Sequence, residues 1–296
     1  MEEFEIIRSA IFEKYNEGKY LESLKLVNEA SSIYSDQDDS ILYWKACFYS
    51  LLGQSKNAID ALKAAYDKGI WWSPRQFESD PDLDNLRNEG EFIIIKNKME
   101  EKYRKASIDA EMEMVIEERD ESEGYLLNLH WKNDNIEHYR KFFTHSLDAI
   151  GIGAIYVQSS QIMSSRGYCW DDKAIAQSEV EKAIVNKVNK IRAMCGYSQG
   201  ANIALMMSIK YEKDYIGIMP ALRDTTIAKM IINQKAKYRF VVGELDPFYK
   251  ACQENLRYLV ERGFDAKLIN LGNIGHSFDR NFDLKFETTL QDILSQ

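Results

Sequence analysis

The residues best equipped for chemistry stand in Ala193 to Asn202, which read AMCGYSQGAN. Inside them Gly196-Tyr197-Ser198-Gln199-Gly200 brackets a serine between two glycines. A serine hydroxyl is a weak nucleophile until a base takes its proton, and the base needs an acid to orient it. One histidine follows Ser198 in the chain: His276, in the stretch Gly272 to Phe278, GNIGHSF. Asp246 lies between them in FVVGELDP, just past an apolar run that ends at Val242. Glu244 competes with it by position, and Asp224 is a more distant competitor. An aspartate before proline is also a common turn former, so the case for Asp246 is positional.

These groups need elements to hold them. Ser198 follows the short apolar run Ile191 to Cys195 and precedes Ala201 to Tyr211, rich in Ala, Met and Leu. A strand, a tight turn carrying serine, and a helix make the setting of a nucleophile elbow. The glycines leave room for close backbone passage. The helix start turns unpaired N–H groups toward a developing oxyanion. One oxyanion donor is then the N–H of Gln199, and the loop after Leu129-His130 supplies the other, at Trp131. Apolar strand-like runs recur at Tyr125–Leu129, Gly153–Val157, Tyr215–Met219, Phe240–Val242 and Ala266–Leu271. Helical stretches alternate with them at 136–150, 172–189, 225–233, 249–262 and 284–294. The alternating stretch 111–116, EMEMVI, reads as an edge strand. This order predicts an α/β domain with a mostly parallel sheet and helices on both faces.

In that architecture the order along the chain is serine, acid, histidine. Asp171 and Asp172 precede the serine and break it. The loop from Gln158 to Asp172 follows a strand, so Trp170 is a pocket candidate, with His130 and Tyr197 beside the functional loops. His138 and His145 share a helix face but lie about 10 Å apart along its axis, too far to share a metal. No cofactor or metal set is read from the chain.

The first hundred residues have a different grammar, helix after helix. Gly18 and Gly53 stand 35 residues apart, and Leu24, Val27 and Ala30 find counterparts in Ile59, Leu62 and Ala65. Such a period, with glycine at the turn and small residues at the helix contact, resembles the tetratricopeptide repeat. A degenerate third unit runs through Trp71-Trp72-Ser73-Pro74 and Asp80-Pro81 to Phe92. The resemblance implies a peptide or protein partner or self-association; packing on the chain's own second domain is the alternative. Trp71 and Trp72 are read as an apolar contact between domains, or as reaching the site. The division falls near residue 105, giving a helical domain over 1–104 and an α/β domain over 105–296.

The chain has 296 residues, 45% hydrophobic and 29% charged, with a net charge of −9, which suits a globular protein and excludes a basic nucleic-acid surface. No run is long enough to span a bilayer as a helix, and the acidic start lacks the pattern of a secretory leader. Cys47, Cys169, Cys195 and Cys252 are dispersed, without a Cys-x-x-Cys pair. They read as reduced core thiols of a cytoplasmic protein.

Taken together, Leu129-His130, Gly196-Tyr197-Ser198-Gln199-Gly200, Gly243-Glu244-Leu245-Asp246 and Gly275-His276-Ser277-Phe278 make residues from about 110 to 296 resemble an α/β-hydrolase. The nearest branches are the phospholipase/carboxylesterase and dienelactone-hydrolase-like ones. The resemblance implies a metal-independent serine hydrolase with Ser198 as nucleophile, His276 as base and Asp246 as its partner. Its substrate would be a small soluble ester or thioester. The family pattern continues Leu-His-Gly, whereas this chain places Trp131 at the glycine. That change would narrow the acyl site, and it motivates a second reading, an adaptor with an inactive hydrolase domain. Peptidase activity is a third, since the fold also cleaves amides. No inserted lid is visible between Ser198 and His276.

Overall fold

The structure, a computed structural model, describes residues 3–119, 124–278 and 281–295. Its contacts divide the chain into two units. One holds Glu2–Ala110 together with Ile162–Gly167, the other Glu111–Gln161 and Tyr168–Gln296.

The helical unit begins with α1 (Glu3–Asn16), α2 (Tyr20–Ile33), α3 (Asp38–Leu51) and α4 (Ser55–Asp67). Gly18 and Gly53 sit at the α1–α2 and α3–α4 turns with the same φ of +72°, a left-handed value that glycine adopts without strain. Ala30 and Ala65 are fully buried, as their small size requires. The 35-residue offset in sequence is therefore an offset between two helical hairpins. Beyond it the pattern ends: α5 (Pro74–Ser79), a 3-10 turn and the long α6 (Gly90–Asp109) follow. The expected division near residue 105 falls inside α6, which runs on to Asp109. Trp71 and Trp72 belong to the helical unit's own core, Trp72 lying 5.0 Å from the ring of Tyr43. The segment Ile162–Gly167 joins the same unit: Ser73 donates its N–H to the Met163 carbonyl, Ser165 to that of Trp71, and Arg166 reaches the Asp36 carbonyl.

The second unit is built on β1 (Glu113–Glu117), β2 (Tyr125–Leu129), β3 (Gly153–Gln158), β4 (Ile191–Tyr197), β5 (Asp214–Ile218), β6 (Lys237–Val242) and β7 (Asp265–Asn270). The sheet order is β1-β3-β2-β4-β5-β6-β7. β1 is an antiparallel edge strand on β3, and every other pairing is parallel. Burial on both faces explains the near-continuous apolar strands: Leu126, Leu127, Ile155, Met194 and Ile216 are all fully buried. Each such side chain contributes about 1.5–3 kcal/mol by leaving water.

The helices are α7 (Ile136–Tyr139), α8 (Thr144–Ile150), α9 (Lys173–Ile184), α10 (Gln199–Tyr211), α11 (Tyr249–Val260) and α12 (Phe282–Leu294). Two expectations are corrected. The single helix over 136–150 is broken by a 3-10 turn at Arg140–Phe142. The helix over 225–233 is reduced to one 3-10 turn at Ala228–Met230. Among the described residues no helix is long and apolar enough to cross a membrane.

The winding direction reverses at β2, whose neighbours are β3 on one side and β4 on the other. Ligands of open α/β sheets bind beyond the strand carboxyl ends at such a switch point. β2 runs there into His130 and Trp131, and β4 runs there into Ser198.

Candidate active site

Ser198 sits between the last residue of β4 and the first of α10, with φ 52° and ψ −113°. A non-glycine residue held there stores about 1–3 kcal/mol of strain, so its surroundings must impose the conformation. They do so from both sides: the Ser198 N–H donates to the Ile218 carbonyl (2.8 Å), and the Ser198 carbonyl accepts from Ala221 (3.1 Å). The glycines answer a packing need. A Cβ on Gly196 would lie 2.5 Å from the carbonyl carbon of Gly200 and 2.7 Å from the nitrogen of Ala201. A Cβ on Gly200 would run into the carbonyl oxygens of Leu129 and His130. Strand β4, helix α10 and the loop after β2 thus meet backbone to backbone.

The expected partners converge on Ser198. His276 Nε2 lies 2.9 Å from Ser198 Oγ, and His276 Nδ1 lies 2.6 Å from Asp246 Oδ2. The Asp246 carboxylate only accepts, so Nδ1 carries the proton and Nε2 of the neutral ring is left to accept from the serine hydroxyl. Asp246 has a fully buried side chain, and its other oxygen accepts the N–H of Phe248 at 2.7 Å. The carboxylate is therefore fixed at both ends. Tyr197 and Phe248 set ring edges against His276, with centroids 5.5 and 5.7 Å away.

The competing acids face elsewhere. Glu244 is exposed and accepts from Asn270 (2.6 Å). Asp224 is exposed, and hydrogen bonds from the Thr226 side chain and then from its N–H hold its carboxyl below the usual range. We expect Glu244→Gln and Asp224→Asn to keep kcat within about twofold of the unmodified protein. Asp246→Asn should cost about 10⁴-fold by removing the acceptor that sets the tautomer. Parallel ester-hydrolysis assays separate the three.

The acid and histidine loops are tied together by backbone. Glu244 donates its N–H to Gly272, and Leu245 donates to Ile274. Gly243 makes this possible: a Cβ there would meet the Ile274 side chain at 2.6 Å and collide with its carbonyl. Gly243→Ala should therefore destabilise the fold by about 1–3 kcal/mol and displace His276 from Asp246. Urea unfolding and kcat measured on one preparation check both effects.

Gln199, the first residue of α10, carries an N–H without an intrahelical acceptor. Its side chain holds the loop before α9: Oε1 accepts the Trp170 N–H (2.9 Å) and Nε2 donates to Asp171 (2.7 Å). Trp131 is half-buried, and its ring packs among Tyr139, Phe142, Tyr197 and Phe278 at 5.1–5.9 Å, so the indole is taken up in an aromatic cluster. Of the three pocket candidates, Tyr197 is buried in that cluster, while His130 and Trp170 are buried with their rings tilted at 34° and centroids 4.8 Å apart. The Trp170 indole N–H donates to the His130 carbonyl, so these two residues are bonded to each other as well as packed together. Burial lowers the His130 pKa, and its Nδ1 donates to the Trp131 carbonyl at 2.7 Å. His138 instead pairs with the buried Asp134 at 2.8 Å. All four cysteines are free and buried, and burial pushes the Cys195 thiol well up from its ordinary pKa.

A seven-stranded, mostly parallel sheet with a positive-φ serine at the end of a central strand defines the class: the sheet unit has the α/β-hydrolase fold. Residues 3–107 match the family described as "A/B hydrolase-like, N-terminal domain". An uncharacterized protein from Bacillus cereus ATCC 10987 is similar over 99% of both chains, at 20% identity and a TM-score of 0.53. Esterase PE8 is similar over 62% of this chain and 99% of its own, at 16% identity and a TM-score of 0.52. No curated protein sequence matches.

Proposed function

We propose that the protein is a serine hydrolase that cleaves a small carboxylic ester or thioester through an acyl-enzyme on Ser198. The observation that carries this reading is the line from Asp246 through His276 to Ser198, at 2.6 and 2.9 Å, on a serine held at positive φ. His276 Nε2 takes the hydroxyl proton as Oγ attacks the substrate carbonyl. Asp246 keeps the other ring nitrogen protonated and stabilises the imidazolium. The N–H groups of Gln199 and Trp131 receive the oxyanion, with the α10 N-terminus adding its dipole. His276 then protonates the leaving alcohol or thiol, and water, deprotonated by the same nitrogen, releases the acid. The similarity to esterase PE8 over 62% of this chain points the same way.

A fluorophosphonate probe tests this reading. Labelling that maps to Ser198 and is lost in Ser198→Ala supports it. Folded protein that neither takes the probe nor hydrolyses short p-nitrophenyl esters or acyl thioesters would refute it.

A further inference from the structure

An oxyanion hole works only if its N–H groups aim at the place where charge develops. In a trans peptide the carbonyl and the next N–H point in opposite directions, so fixing one aims the other. The Trp131 N–H belongs to the peptide whose carbonyl is that of His130. That carbonyl accepts the indole N–H of Trp170 at 2.8 Å. Trp170 is 1% exposed and lies ring against ring with His130. The carbonyl also rests against Gly200, two residues beyond Ser198, with no space for a Cβ. The next peptide is held likewise, its Trp131 carbonyl accepting from His130 Nδ1 at 2.7 Å. Trp170 is itself held by Gln199, whose side chain accepts the Trp170 backbone N–H. The residue that offers one donor thus grips the residue that aims the other.

We infer that Trp170 is a positioning residue of the oxyanion hole, acting through its indole N–H on the His130–Trp131 peptide. The inference rests on the proposed hydrolase reading and goes beyond it, because Trp170 touches no reacting atom. Its effect belongs to the transition state, in which the carbonyl oxygen becomes an anion, more than to the ground state.

Trp170→Phe keeps an apolar ring and deletes the donor. We expect kcat per active site to fall about 10- to 100-fold while KM stays within about twofold. Active sites are counted by fluorophosphonate titration. Phenylboronic acid, which forms a tetrahedral anionic adduct with an active serine, should lose affinity by the same factor as kcat/KM. Mere structural damage would lower the number of titratable sites and leave both per-site values unchanged, and that result would overturn the inference. If the Phe variant fails to fold, replacing Trp170 by 3-benzothienylalanine decides, since it keeps the bicyclic shape and lacks the N–H. Unchanged per-site kcat and boronate affinity in that protein would also overturn it. The unmodified protein is the control for the underlying reading: if it takes no probe and turns over no ester, the hydrolase assignment falls, and the inference with it. If it is active and the variants match it, only the role of Trp170 falls.

Discussion

Ser198→Ala and His276→Ala should each lower kcat for a short p-nitrophenyl ester by about 10⁴- to 10⁶-fold. The size follows from geometry. In the proposed mechanism Oγ is the attacking atom, and His276 Nε2, 2.9 Å away, is the acceptor for its proton. Neither can act without the other, so the two losses do not add. The double variant should be no slower than the worse single one, because either change abolishes the same covalent step. What remains is the help from the oxyanion donors and from binding. Ser198→Ala should keep the wild-type melting temperature within about 2 °C, whereas His276→Ala should lower it, because it leaves the buried Asp246 carboxylate without its imidazole partner. Steady-state kinetics with the double variant, beside thermal unfolding, form the check. Additive losses in the double variant would mean that the two residues act in separate steps.

The second large effect lies two residues further on. Gly200→Ala should destabilise the protein by about 3 kcal/mol and reduce kcat at least 100-fold in the fraction that folds. The added methyl group would be driven into the carbonyl oxygens of Leu129 and His130, and backbone cannot rotate aside as a side chain can. Only two relaxations are open. Helix α10 can move off strand β4, which loosens the elbow that strains Ser198, or the loop after β2 can move out, which carries the Trp131 N–H away. Either one separates the two proposed oxyanion donors. Urea denaturation gives the stability loss, and kcat per titrated site gives the catalytic loss. A Gly200→Ala protein with unchanged stability would show that this approach is looser than the structure has it.

Much of the site was legible in the sequence because its chemistry depends on chain order. Ser198, Asp246 and His276 each follow an apolar strand, and strand ends gather at one edge of a parallel sheet. The elbow glycines were legible for a similar reason, a local spacing with a local steric cause. The bracing of the His130–Trp131 peptide was not. It depends on where the His130 carbonyl points and on an indole from a distant loop, and no residue pattern encodes the direction of a carbonyl. The failed helix at 225–233 has a different cause. Asp224 captures the Thr226 N–H in a local turn, and Met230 and Ile232 remain 58% and 79% exposed. An apolar residue that finds nothing to pack on cannot sustain a helix. The helix at 136–150 breaks in a well-buried setting instead. Phe142 and Phe143 are both buried, against Phe278 and Phe286, and the 3-10 turn ending at Phe142 seats both rings.

The excursion of Ile162–Gly167 bears on how the chain is made. Residues leave the ribosome in order, and domains generally fold as units beginning from the N-terminus. Here the helical unit still lacks its Met163, Ser165 and Arg166 contacts when Ala110 emerges. The carbonyls of Trp71 and Asp36 must wait, hydrated, until β1, β2 and β3 have also been synthesised. A nascent chain stalled just after Gly167 has cleared the exit tunnel should therefore protect Trp72 from solvent better than one stalled after Ala110 has done so. Completion of the first unit and assembly of the second are consequently overlapping events on one polypeptide.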